Sequence, residues 1–282
     1  MKTIIALIII FFGAFNNSNA IIIFQDSFDS CTTGCTVGAS EPNSAAWTQW
    51  VTDGLSATHD SVTHYSGEIT SSGRGGSGKS LKLWRHSDSW TGSASYAGAL
   101  VMSAPSSYSN FYLRFYAKVS GSMSFPADVK MFRLNTTGAS GELYVNLNNY
   151  GSGTFLWVWG GSGDSSINTE LLTPTETASL FDGEWHCWQF QFNLSTNTVN
   201  FWADGVLLGS ITDSRLDGAW DSLLQHWPLG NAQDGSWQSS WQPFEVDDII
   251  IATSKLETDP DESTPASSPF FGGAIISGAT LQ

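Results

Sequence analysis

Between Ile21 and about Lys255 the chain repeats one texture. Runs of five to ten residues rich in β-branched and aromatic side chains are cut by clusters of Gly, Ser, Asn and Asp. Runs that short, bounded by turn residues, suit strands rather than helices. Strands are expected near 21–25, 80–86, 95–102, 110–119, 129–134, 142–148, 154–159, 184–193, 198–203, 206–211, 222–228 and 244–252. A long irregular stretch, roughly 36–78, precedes the second of these. No convincing helix is expected beyond one short turn at 176–181. So many short strands in one chain imply an all-β protein of two packed antiparallel sheets.

The firmest local expectation is a hairpin over Asn197–Ile211. Asp204-Gly205 forms a two-residue loop of the type I′ kind, because both residues tolerate positive φ. Only 13% of the residues are charged, which suits short strands joined by many turns. The length allows one large β domain or two small ones.

The two ends read differently from the middle. Residues 1–20 have the form of a signal peptide. Lys2 gives a positive start, Ile4 to Phe15 an apolar run too short to span a bilayer, and Ser18-Asn19-Ala20 a small-residue cleavage site. The domain is then 21–256, and secretion to the outside or the periplasm is expected, with no membrane span. Residues 257–282 form an acidic Pro/Ser-rich linker and a short apolar tail. Cys31 and Cys35 suit a small disulfide in an oxidising compartment, whereas Cys187 reads as a buried thiol. Asn135 and Asn193 begin glycosylation sequons. The formal net charge of −15 argues against nucleic acid or an anionic membrane as partner.

Several segments together resemble the concanavalin A-like lectin/glucanase superfamily. They are the opening IIFQDSFDS, the central FYLRFYAKV, the pair DGEWHCWQFQFN and NTVNFWADGVLLGS, and the closing FEVDDIIIAT. The resemblance covers about 24–255 and implies a jelly-roll sandwich of the polysaccharide-lyase-like or laminin-G-like kind, binding glycan on its concave sheet. A retaining hydrolase of this superfamily carries Glu-x-Asp-x-x-Glu on one strand. The nearest match, Glu245-Val246-Asp247-Asp248-Ile249-Ile250, has Ile in place of the second Glu, so that activity is not expected.

The positive charge is segregated. Arg74, Lys79, Lys82, Arg85, Arg114, Lys118, Lys130 and Arg133 fall between 74 and 133, against only Asp88 and Asp128. If those strands are neighbours they make one basic patch on an acidic body. Strand alternation sends Phe111, Leu113, Phe115, Ala117 and Val119 to the core and leaves Tyr112, Arg114, Tyr116 and Lys118 on the other face. By the same rule Lys82, Trp84 and His86 share a row. Leu143, Val145 and Leu147 point inward, leaving Tyr144 and Asn146 outward, and Gln189 alternates with core-facing Trp188. One sheet presenting all of these side chains would suit an acidic, uronate-containing polysaccharide, with aromatic faces on sugar rings and cations on carboxylates.

Uronates are cleaved by β-elimination when a cation neutralises the carboxylate and a base takes the adjacent proton. Jelly-roll lyases use such residue types, so Arg114 or Lys118 is expected on the carboxylate, with His86 as base. Tyr116 or Tyr112 would be base or acid, and Asn146 and Gln189 would assist. The alginate-lyase strands Gln-Ile-His and Tyr-Phe-Lys-Ala-Gly are absent, so the assignment rests on chemistry and face. Lys82, Trp84, Tyr112, Tyr144, Asn146, Gln189 and Trp237 are the expected substrate contacts. Trp237 belongs to the loop HWPLGNAQDGSWQSSW, whose three tryptophans favour a non-catalytic, lectin-like binder instead. A structural or adhesive module is a third class, and against it stands the charge segregation, which a mere spacer does not require. A structural calcium ion is expected at Asp26, Asp29, Asp247 and Asp248, since the first and last strands pair in such folds and hard oxygens suit Ca²⁺. The alternative is that these residues cap turns. The expected state is a monomer.

Overall fold

The computed structural model describes residues 20–29, 49–51, 56–59, 62–65, 67–83, 99–103, 107–121, 129–136, 142–149, 153–160, 167–226 and 244–256. Among these residues the strands are β1 (Ile22–Asp26), β2 (Gln49–Val51), β3 (Ser56–His59), β4 (Val62–Tyr65), β5 (Gly67–Thr70), β6 (Ser80–Leu83), β7 (Ala99–Ser103), β8 (Asn110–Val119) and β9 (Val129–Thr136). They continue with β10 (Glu142–Asn149), β11 (Thr154–Gly160), β12 (Ile167–Leu172), β13 (Trp185–Asn193), β14 (Thr198–Ala203), β15 (Val206–Thr212), β16 (Trp220–His226) and β17 (Phe244–Ala252). One helix, α1 (Pro174–Ala178), and one 3₁₀ turn, Arg74–Gly76, accompany them. Among the described residues no helix is long and apolar enough to cross a membrane.

The strands form two antiparallel sheets, an all-β sandwich as the texture implies. The first sheet runs β15-β14-β13-β8-β17-β6-β5, with β1 also on β17; the second runs β12-β11-β10-β9-β16-β7-β2. Strands β3 and β4 pair only with each other. Period-two alternation builds the space between the sheets. Phe111, Leu113, Phe115, Ala117 and Val119 of β8 meet Trp188, Phe190 and Phe192 of β13 in one buried cluster. Leu143, Val145 and Leu147 of β10 and Leu156 and Val158 of β11 join that cluster from the second sheet. Trp188 lies at its aromatic centre, with ring centroids 5.9 Å from Phe115, 6.4 Å from Phe181, 5.6 Å from Phe201 and 6.3 Å from Phe244.

The Asp204-Gly205 loop takes φ of 48° and 80°, the positive pair that a type I′ turn requires. The stretch 36–78 is not wholly irregular: β2 to β5 lie in it. These strands have three or four residues each, too short for alternation to register. Strand β12 was also not expected, because INTELL buries Ile167, Leu171 and Leu172 with no strict alternation. The short helical turn begins at Pro174 rather than 176. Thr173 caps it, accepting from Glu176 N while the Glu176 carboxylate accepts from Thr173 N.

Two features position the surfaces. Strands β1 and β6 dock in tandem along one side of β17, β6 against Phe244–Val246 and β1 against Ile249–Ala252. The junction falls at Asp247–Asp248, where Asp248 takes a positive φ of 48° and the pairing to β8 shifts register. At the far edge β15 closes onto β12: a Cβ at Gly209 would stand 2.3 Å from the Leu171 carbonyl oxygen.

Candidate functional site

The outer face of the first sheet carries most of the expected catalytic residues, but it is not an open groove. Tyr112 is half-buried, while Arg114 and Tyr116 are buried at 7% and 0% exposure although neither belongs to the apolar cluster. Gln189, opposite Arg114, is buried as well. Two segments cross this face. The 73–79 loop lays the Arg74 guanidinium 3.9 Å from the Tyr116 ring centroid. The chain after β17 returns across β13 and β14, where Leu256 N donates to Gln189 Oε1 at 3.2 Å and Lys255 Nζ stands 4.9 Å from the Trp202 ring. Burial also holds the Tyr112 phenol above its usual pKa, which disfavours the phenolate a base would need.

Acidic partners meet the cations of this face. Along one transverse row Lys118 stands opposite Glu245, Glu245 opposite Lys82, and Lys82 opposite Glu68. The Lys82 ammonium is 3.7 Å from Glu245 Oε1. Alternating charge across neighbouring strands is stabilising in itself. The glutamate of the hydrolase-like segment therefore serves an ion pair.

The four aspartates expected to bind calcium divide between two duties. Asp26 Oδ1 accepts from Phe28 N at 2.8 Å and closes a local turn. The other three clasp the 73–79 loop into the junction between β1 and β6. Asp29 Oδ1 accepts from Lys79 N at 2.9 Å, Asp247 Oδ2 from Arg74 N at 2.9 Å, and Asp248 Oδ2 from Arg74 Nε at 3.1 Å. Strands β1 and β17 do pair, as expected. Burial, and then the neighbouring Asp248 and Asp29 carboxylates, push the Asp247 pKa up to about 7, despite the lowering effect of the Arg74 and Asp248 amides. Among the described residues no group of three or more His, Cys, Asp or Glu side chains is arranged to hold a metal ion. At Gly73 a Cβ would lie 2.7 Å from Ser77 O, 2.9 Å from Asp247 Oδ2 and 2.9 Å from Lys79 N, so two hard oxygens and one amide nitrogen line that space.

Tyr144 and Asn146 stand on the other sheet. Leu143, Val145 and Leu147 take the core side of β10, so Tyr144 and Asn146 face outward on the side of the sandwich opposite Arg114, Tyr116 and Gln189. One sheet presenting all of the expected residues is therefore corrected: alternation was right for each strand, but sheet membership divides the set. The single basic patch divides in the same way. Arg74, Lys79, Lys82, Arg114 and Lys118 lie on the first sheet or its loop, and Lys130 and Arg133 on β9 of the second.

The second sheet's register assembles a different row. Asn168 stands opposite Trp159, Trp159 opposite Tyr144, Tyr144 opposite Arg133, Arg133 opposite Gln225, Gln225 opposite Val101 and Val101 opposite Gln49. Directly opposed residues of an antiparallel sheet share a face. The next row is Glu170, Trp157, Asn146 and Lys130. Asn146 is 2% exposed, and its Oδ1 meets no hydrogen-bond donor. Sequence reasoning missed Arg133 and Gln225 as partners of Tyr144 because register across β9 and β16 is set by bulges that no local pattern reveals.

Trp84, His86 and Trp237 lie outside the described residues, as do residues 1–19, Cys31, Cys35 and the residues beyond 256.

No protein-family model and no curated protein matches the chain. Among solved structures, it is similar to a botulinum neurotoxin serotype D/C binding domain (12% identity, TM-score 0.47, 72% of this chain and 49% of that one). It is also similar to the binding domain of Paraclostridial mosquitocidal protein 1 (12%, 0.46, 72% and 49%) and to the cellulose-induced protein Cip1 (15%, 0.49, 75% and 94%). The match spans about half the length of the toxin domains and nearly all of Cip1. The two-sheet antiparallel sandwich of this chain is read from its own strand pairing.

Proposed function

We propose that this protein is exported and binds an acidic, uronate-bearing polysaccharide across the outer face of its second sheet, where the residue types also suit β-elimination. The observation that carries this reading is the transverse register row of Asn168, Trp159, Tyr144, Arg133 and Gln225. Aromatic residues stack on the C–H faces of pyranose rings, amides bond hydroxyls, and a guanidinium takes a carboxylate in two parallel hydrogen bonds. The first sheet supports the reading less, since its cations already face its own carboxylates.

In an elimination, Arg133 and Gln225 would neutralise the uronate carboxylate, lowering the cost of negative charge at the carbon beside it. Tyr144 would take the proton from that carbon. A carbon–carbon double bond would form as the bond to the leaving oxygen breaks, and Tyr144 would pass the proton it has taken to that oxygen. A non-catalytic glycan binder is the second reading, favoured by the 5% exposure of Tyr144, which restricts its reach to a substrate proton.

The test is incubation of the purified protein with alginate, glucuronan, heparin and pectate, following the ultraviolet absorbance of unsaturated uronate products. The expected result is a rise that Tyr144→Phe lowers by roughly 10²–10⁴-fold, with polymer retention lost in Arg133→Ala and kept in Tyr116→Phe. Retention without a rise establishes the binder. A protein that neither cleaves nor retains any of the four polymers overturns the proposal.

A structural calcium ion at the loop junction belongs to the same proposal. Asp29 and Asp247 would hold it with the Ser77 carbonyl, supported by the two hard oxygens that meet at Gly73 and by a surplus of carboxylates around Asp247. Bound calcium stabilises the folded state by mass action, so a chelator is expected to lower Tm by several degrees, on the order of 3–10 °C at saturating metal. An unchanged Tm removes calcium from the reading.

A further inference from the structure

His186 is the second residue of β13, with its side chain 16% exposed. Each of its ring nitrogens faces a carboxylate: Nδ1 lies 2.7 Å from Asp204 Oδ2 and Nε2 lies 3.1 Å from Asp182 Oδ1. A neutral imidazole carries one N–H. It can donate to one of these acceptors and must turn a lone pair towards the other. Only the imidazolium donates to both.

The two carboxylates belong to different elements. Asp182 comes from the loop between α1 and β13, where its Oδ1 also accepts from Glu184 N at 2.8 Å. That loop is itself tied to β8, because Gly183 N donates to Val119 O. Asp204 comes from the turn between β14 and β15. Its Oδ1 accepts from Cys187 N at 2.8 Å, and its own N–H donates to Cys187 O. His186 thus joins the hairpin turn to the α1–β13 loop. Among the described residues the other charged groups on these elements and on the adjacent strand are Glu184 of the same loop and, on β8, Lys118 opposite Trp185 and Arg114 opposite Gln189.

We propose that His186 is a pH-sensitive latch: as the imidazolium it ties the β14–β15 turn to the α1–β13 loop, and on losing a proton it lets go of one of the two. The electrostatics agree with the geometry. The hydrogen bond to Asp204 raises the His186 pKa above the usual histidine range, burial opposes it, and Asp182 adds to the rise. Burial works to raise Asp182, but the Glu184 amide and His186 together hold it below the usual carboxylate range. The sign follows from linkage. A histidine whose folded pKa is raised contributes stability that is complete below its unfolded pKa and is lost as pH rises through the folded one. The hairpin is therefore firmest in mildly acid solution. Val206 and Leu207, 60% and 52% exposed, lie just beyond the turn that the latch holds.

The experiment combines an NMR titration of the His186 ring with Tm measured from about pH 5.5 to about pH 8.5, a range that brackets histidine ionisation. Three proteins are compared: the full chain, His186→Gln and Asp182→Asn. The His186 midpoint is expected above the usual histidine value. The native Tm is expected to fall by about 2–4 °C more than that of His186→Gln across the range, a modest figure because both carboxylates are half exposed. Amide exchange at Cys187 and Asp204 should quicken over the same interval. Asp182→Asn changes only an exposed loop carboxylate and should lower the His186 midpoint, so the idea remains testable even if His186→Gln does not fold. A midpoint at or below the usual value, equal Tm slopes in native and His186→Gln proteins, or a midpoint unmoved by Asp182→Asn would each overturn the latch.

Discussion

Trp188→Ala is expected to cost about 3–5 kcal/mol, the range for truncating a large buried aromatic, and so to lower Tm by roughly 6–20 °C. The reason lies in what surrounds the indole. Trp188 is fully buried and meets Phe115 of β8, Phe201 of β14, Phe244 of β17 and Phe181 of the loop that follows α1. Its removal leaves a void bounded by rings on different strands, and such a wall relaxes only in part. Trp188→Phe provides the control. The indole Nε1 is buried without a hydrogen-bond acceptor, so phenylalanine gives up volume but loses no hydrogen bond and is expected to cost much less. Thermal or urea unfolding of the two variants checks both statements. A Trp188→Ala protein with native Tm would mean that the aromatic centre is not where the sandwich draws its stability.

Gly209→Ala is expected to destabilise by roughly 1–3 kcal/mol or more, the usual cost of overpacking, through one added methyl group. The new Cβ would stand 2.3 Å from the Leu171 carbonyl oxygen and 3.0 Å from the Leu171 Cδ1. The first distance is a clash with backbone, which cannot turn aside as a long side chain can. Relief requires β15 and β12 to separate, opening the sandwich where the edges of its two sheets meet. Ser210→Ala, next to it on an exposed position of β15, is expected to be nearly neutral. Equal Tm values for Gly209→Ala and Ser210→Ala would show that the two edges are not held together there.

The fold was legible wherever the period of two ran long enough. Strands β8 and β14 begin and end where the alternation of their segments begins and ends, and β17 has its expected bounds although its alternation breaks at Asp247–Asp248. The core face of β8, β10 and β13 is the one that alternation assigns. Strands of three or four residues carry too little pattern, which is why β2 to β5 went unread. Strand β12 was hidden for a different reason, since it buries Ile167, Leu171 and Leu172 out of strict alternation. Its neighbour α1 was visible only through its capping chemistry.

The candidate site was legible one strand at a time. That Tyr116, Arg114, Tyr144, Asn146 and Gln189 leave the apolar core follows from the sequence alone, because alternation is a local property of the backbone. The sequence by itself also determined the all-β class and the hairpin at Asp204-Gly205, whereas the pairing of the first and last strands was expected from the family resemblance. Only the tertiary structure decided that β8 and β10 belong to different sheets, so that residues of like chemistry stand on opposite sides of the molecule. It alone decided that Asp247, Asp248 and Asp29 would hold a loop over Tyr116, and that Arg133 and Gln225 would stand in the row of Tyr144. The physical reason is that the direction in which a strand points its side chains is set within the strand. The strand it pairs with, its register and what covers its face are set by contacts between residues far apart in the chain, and no local pattern encodes them.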